Sequence, residues 1–150
     1  MKKLFVLVAL GFMVIAVHGQ GQNPVSWNFT TKKIADKTFE VHMTANVQSG
    51  WHIYSQTQPD DAIALPTSIT VNTNPLVTLN GKIKEVGKME KYKDPTLGST
   101  AHQYSGKVDF VQVIKLKANA KTNFAGNIEY QTCDDKKCLL KSVNFNIALK

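Results

Sequence analysis

The chain has 150 residues, with 18 basic residues against 11 acidic ones and a formal net charge of +7. Every basic residue is lysine and none is arginine, which argues against nucleic-acid recognition, where the bidentate arginine fork is favoured. The length suits one ordinary domain with a sufficient core of its own.

Lys2 and Lys3 precede an apolar run from Leu4 to Val17, followed by small or polar residues at Gly19 to Gly21. A basic start, a short apolar stretch and a small residue describe a secretory signal peptide over residues 1–19. The run is shorter than the roughly 20 apolar residues a membrane span needs. The mature domain expected over residues 20–150 keeps 16 lysines and a net charge of +5. It is expected to be exported, periplasmic or secreted, and monomeric. Its lysines read as a solvated surface, with Lys82, Lys84, Lys88, Lys91 and Lys93 as the one cluster that could dock an acidic partner.

Beyond the leader the periodicity is that of strands. Trp27 and Phe29 alternate with polar neighbours, and Phe39, Val41, Met43, Ala45 and Val47 alternate with Glu40, His42, Thr44 and Asn46. Ser49-Gly50 signals a turn before a short strand at Trp51-His52-Ile53-Tyr54. Ile69 and Val71 mark another, and Val77 to Val86 supplies one or two more, broken at Asn80-Gly81. From Gly87 to Ala101 the pattern stops, and a long irregular loop is expected; loops of that length are usually functional. Strand pattern returns over Tyr104 to Leu116 with a slip in phase, as in a central or bulged strand. Two last strands, Ile128 to Thr132 and Ser142 to Leu149, flank the only cysteines, Cys133 and Cys138. Eight or so short strands in one domain predict an all-β, immunoglobulin-like sandwich, with a closed barrel as the alternative.

The cysteines carry the chemistry. A four-residue connection, Asp134 to Lys137, sets Cys133 across from Cys138, at a separation that a disulfide bridges. Strand parity puts both on the face opposite Ile128 and Tyr130. Such a bridge closes so short a loop that it stabilises the fold by only about 2 kcal/mol, against nearly 5 for a loop of about 100 residues. Exposed cross-strand bridges are also the more reducible kind. A redox-active pair is therefore expected, with a purely structural disulfide as the alternative. Lys136 and Lys137 favour a thiolate at Cys138, and Asp134 and Asp135 disfavour one at Cys133. Zinc is not expected, because one cysteine pair is short of four ligands. Copper held by the cysteines with His52 or a methionine, and a cysteine hydrolase with His102 as base, are weaker readings.

Gly50-Trp51-His52-Ile53-Tyr54-Ser55 together with Tyr130-Gln131-Thr132-Cys133 and Cys138 resembles the periplasmic N-terminal domain of the DsbD thiol:disulfide interchange proteins, in stand-alone form. The resemblance runs from about Val25 to Leu149. It implies an immunoglobulin-like fold and protein thiol:disulfide oxidoreductase activity without a cofactor. The implied donor is a thioredoxin-like protein, membrane-associated and DsbD-type. The implied acceptors are exported disulfide isomerases or cytochrome c maturation proteins. It also implies that His52 and Tyr54 border the cysteines and that a cap within residues 87–101 shields them through Tyr92 or Leu97. The cysteine spacing is one residue shorter than in the best-known members, and Leu139-Leu140-Lys141 stands where Pro-Pro often follows. With no Cys-x-x-Cys in this sequence, the donor is expected to be a separate protein.

Overall fold

A computed structural model describes residues 23–149; the expected signal peptide lies outside them. The described chain is an immunoglobulin-like sandwich of two antiparallel sheets. Its strands are β1 (Val25–Ala35), β2 (Thr38–Val47), β3 (His52–Tyr54), β4 (Ser68–Val71), β5 (Val77–Gly87), β6 (Glu90–Lys93), β7 (Thr100–Ser105), β8 (Lys107–Leu116), β9 (Thr122–Cys133) and β10 (Cys138–Leu149). One sheet runs β1-β2-β8-β5; the other runs β10-β9-β3-β7-β6, with β4 also paired to β9. No described helix is long and apolar enough to cross a membrane.

The alternation in β2 is what buries it. Phe39, Val41, Met43, Ala45 and Val47 face the opposite sheet, where Ile53, Tyr104, Phe124 and Ile128 meet them. Aromatic contacts close one side: Trp27 lies edge-on to Tyr130 at 5.4 Å between ring centres, and Phe29 meets Phe145 at 5.7 Å.

One expectation is corrected and another is narrowed. The stretch from Gly87 to Ala101 is not a long irregular loop. It holds β6 and the start of β7, antiparallel in the register Glu90↔Gln103 to Lys93↔Thr100. Asp94 turns the chain by accepting the N–H groups of Thr96 and Leu97, each at 2.8 Å. β6 is almost wholly exposed, so it carries no apolar alternation to read. The phase slip, in turn, has one cause. Gly106, at φ +80°, carries the chain from β7 in one sheet to β8 in the other without changing which parity is buried. Gln112, however, occupies a core position of β8, only 2% exposed. Its amide donates to the carbonyls of Gly81 (3.2 Å) and Val113 (2.8 Å), beside the irregularity in β5 between Asn80 and Lys84. Of the two expected readings the central strand holds: β8 lies between β2 and β5 and alternates cleanly, and the bulge belongs to β5.

The expected lysine cluster is spread over two edges. Lys82 and Lys84 lie on β5, the end of one sheet, and Lys91 and Lys93 on β6, the end of the other. Lysines there discourage pairing with another chain.

Candidate functional site: a disulfide at the end of the sandwich

The hairpin joining β9 to β10 is held by its first residue. Asp134 N–H donates to the Lys137 carbonyl at 3.0 Å, and Asp134 Oδ1 accepts the N–H groups of Lys136 and Lys137, each at 2.8 Å. A short acid that satisfies its own turn is what such a position favours. The Lys136 N–H, then the Lys137 N–H and the two ammonium groups, hold the Asp134 carboxyl below its usual range. Cys133 and Cys138 face each other in unbroken register and form a disulfide with Cα atoms 4.1 Å apart.

The two sulfurs live in different surroundings. Cys138 is exposed, but Cys133 is 2% exposed, which corrects the expectation of two outward residues. Parity does put Cys133 on the outer face, but that face is covered locally. His52 pairs with Cys133 across β3 and β9, so both side chains leave the sheet on one side. Tyr54 follows two residues on, and its hydroxyl donates to Cys133 Sγ at 3.4 Å. His52 Nε2 lies 3.1 Å from the same hydroxyl.

The chain fixes both side chains through their backbones. Thr132 Oγ1 donates to the His52 carbonyl at 2.8 Å, and Thr67 Oγ1 to the Tyr54 carbonyl at 2.5 Å. Burial lowers the His52 pKa, against the opposing pull of Glu90, Asp135 and Asp134. Burial, then Tyr92 and Asp94, raises that of Tyr54.

Other expected site residues lie farther out. Tyr92 is on β6, on the same outer face in register as Tyr54, and is about half exposed. Leu97 sits in the β6–β7 turn, 65% exposed. Lys136 is exposed in the hairpin turn. Lys137 places its ammonium 5.8 Å from the centre of the Trp51 ring. His102 is turned away from the cysteines, with Nδ1 3.0 Å from the Thr57 carbonyl. No three His, Cys, Asp or Glu side chains among the described residues are placed to hold a metal.

Sequence reasoning missed Thr67 and Thr132, whose hydroxyls fix the site through main-chain atoms. It also missed a groove of about 500 Å³ beside the disulfide, lined by Leu65, Pro66, Gln131 and Leu140 among others. Alternation held a usable signal for the groove, since Gln131 and Leu140 share the cysteines' parity.

A family model described as thiol:disulfide interchange protein DsbD, N-terminal, matches residues 22–148. The chain belongs to that family. Among solved structures it is similar to the N-terminal periplasmic domain of ScsB from Proteus mirabilis, with 15% identity and a TM-score of 0.60. That match covers 84% of this chain and 47% of the other, so the chain spans about half the length of the ScsB domain. It is also similar to the reduced DsbD N-terminal domain of Neisseria meningitidis, with 12% identity, a TM-score of 0.51 and 84% of each chain covered. At such identities these likenesses speak for the fold. No curated protein sequence matches the chain.

Proposed function

We propose that this domain is a periplasmic thiol–disulfide exchange module that relays reducing equivalents through Cys133 and Cys138. The observation that carries the reading is the asymmetry of the pair. Cys138 is open to attack, while Cys133 is sealed and receives a hydrogen bond from Tyr54. A donor thiolate attacks Cys138 Sγ, the disulfide breaks, and Cys133 departs as a thiolate toward a hydroxyl that already points at it. The donor's second thiol then displaces Cys138, leaving the domain with two thiols and the donor with a disulfide. In the second half, the Cys138 thiolate attacks an acceptor disulfide, and Cys133 closes on Cys138 to release the reduced acceptor.

Family membership supports a thioredoxin-like donor; the resemblance adds exported isomerases or cytochrome c maturation proteins as acceptors. The roles of His52, Tyr54, Tyr92, Leu97, Lys136 and Lys137 as border residues belong to the same proposal.

A second reading, a binding module with a structural disulfide, draws on the burial of Cys133 and the tightly tied hairpin. The reduction potential separates the two. Equilibration with glutathione is expected to give a value above about −300 mV, in the range of glutaredoxins and disulfide isomerases. A value below that sinks the exchange reading.

A further inference from the structure

The net charge of the domain sits at the end of the sandwich away from the disulfide. The row Lys33↔Phe39, Phe39↔Ile114 and Ile114↔Leu79 crosses one sheet near that end. From this row outward lie the β1–β2 turn, the end of β8 and its link to β9. They hold five lysines, Lys33, Lys37, Lys115, Lys117 and Lys121, against one acid, Asp36. All the other described residues together balance, with ten lysines against ten acids. Four of the five lysines are exposed, and none is in an ion pair with a described acid. Lys33, Lys37 and Lys121 stand around a hollow of about 390 Å³ that is lined also by the buried Phe39 and Leu116.

Two backbone features shape this end. Lys37 is the one described non-glycine residue with a positive φ, 54°, a conformation that glycine adopts freely. Ile34 falls in the register irregularity between Lys33 and Ala35 and is 45% exposed; bulges re-aim side chains in this way. A strained turn that carries lysine and a bulge that presents isoleucine both sacrifice stability, which points to a use for the side chains they display. The opposite end of β2 (Thr38–Val47) runs into the turn Gln48 to Gly50, which lies beside Asp135 of the cysteine hairpin. At about 3.3 Å per residue, the lysine end and the disulfide end stand roughly 30 Å apart.

We propose that this end docks on an anionic phospholipid surface, with Ile34 entering the headgroup layer and the five lysines meeting the lipid phosphates. Lysines without arginine, spread over several elements, suit a fluid sheet of charge better than one bidentate partner. Clustered lysines are drawn to anionic lipid additively, within a Debye length of its surface. Charge alone holds a protein there only loosely, and an exposed apolar side chain among the lysines supplies a second signal. Docked in this way, the domain turns its disulfide away from the lipid, open to other proteins. The inference goes beyond the exchange reading and does not depend on it.

The test uses the mature chain, residues 20–150, with vesicles of phosphatidylcholine alone or mixed with phosphatidylglycerol. Co-sedimentation at low ionic strength is expected to show binding only to the mixed vesicles, released by high salt. Lys117→Gln together with Lys121→Gln is expected to weaken it about tenfold, the factor that about 1.4 kcal/mol supplies. Lys82→Gln together with Lys84→Gln removes the same charge from the β5 edge and is expected to leave binding within about twofold of the parent. Brominated lipid in the mixed vesicles is expected to quench an Ile34→Trp variant and to spare the parent, whose Trp27 and Trp51 lie toward the disulfide end. Absence of binding, equal binding to both kinds of vesicle, or equal effects of the two lysine pairs overturns the proposal. Quenching of the parent, or an unquenched Ile34→Trp, overturns it as well. Binding to soluble polyglutamate that Ile34→Ser leaves unchanged, without binding to vesicles, assigns this end to an acidic protein and overturns the lipid surface.

Discussion

Tyr54 and Cys133 are linked by a hydroxyl that donates to sulfur across 3.4 Å. The bond joins the middle of the chain to its last hairpin, 79 positions away. It gives the buried sulfur a partner suited to the thiolate that exchange creates, because a hydrogen bond to a charged acceptor is stronger than one to a neutral acceptor.

Tyr54→Phe keeps the ring and removes this donor. The reduced Cys133 thiol is then expected to have a higher pKa, and dithiothreitol to open the disulfide about tenfold more slowly, the effect of about 1.4 kcal/mol. Stopped-flow reduction and pH-dependent alkylation of the reduced protein check the two parts. An unchanged reduction rate would show that the bond matters only for packing.

His52 ties stability to pH. Its folded pKa lies below the ordinary value of 6.5, chiefly through burial. Below 6.5 the unfolded chain therefore binds a proton that the folded chain resists. The stability this group contributes is complete above the unfolded pKa and is lost as pH falls toward the folded one. Glu90, Asp135 and Asp134 oppose the shift and soften the loss. Urea unfolding at pH 7.5 and 5.5 is expected to show a smaller acid loss in His52→Gln than in the parent. Equal losses would refute the assignment.

Glu85 joins the two sheets near the site. From β5 it accepts the Ser55 and Tyr104 hydroxyls, both at 2.7 Å, and the Gln56 N–H at 2.6 Å. Ser55 and Tyr104 are both buried, so deleting the carboxylate leaves donors without partners. Glu85→Ala is expected to cost about 2–3 kcal/mol in urea denaturation, and Tyr104→Phe about 1. Similar costs for the two would place the penalty in side-chain packing instead.

Gly126 is where β4 closes on β9. A Cβ there would clash with the Thr70 carbonyl and lie 2.6 Å from Cζ of Phe145. Backbone and ring would both have to move, so Gly126→Ala is expected to destabilise by about 1–3 kcal/mol. Thermal unfolding measures it, and an unchanged midpoint would show that the strands part easily.

The pairing of Cys133 with Cys138 was legible in the sequence because alternation and a four-residue turn fix register locally. The burial of Cys133 was not. Its cover comes from His52 and Tyr54, brought alongside by strand pairing that no local pattern encodes. The hairpin of β6 and β7 was illegible for a different reason: a strand exposed on both faces carries no apolar period. Gln112 hid the regularity of β8 because a polar residue held a core position, paired to its neighbour's carbonyl and to β5 carbonyls that only the fold places beside it.

A single exposed sulfur also constrains how the proposed relay turns over. Donor and acceptor must use Cys138 in turn, so no complex holding both can form through this disulfide. Steady-state rates should give parallel double-reciprocal lines, and excess of either partner in its unreactive redox state should inhibit by occupying the shared position. Throughput then depends on how quickly the first partner departs.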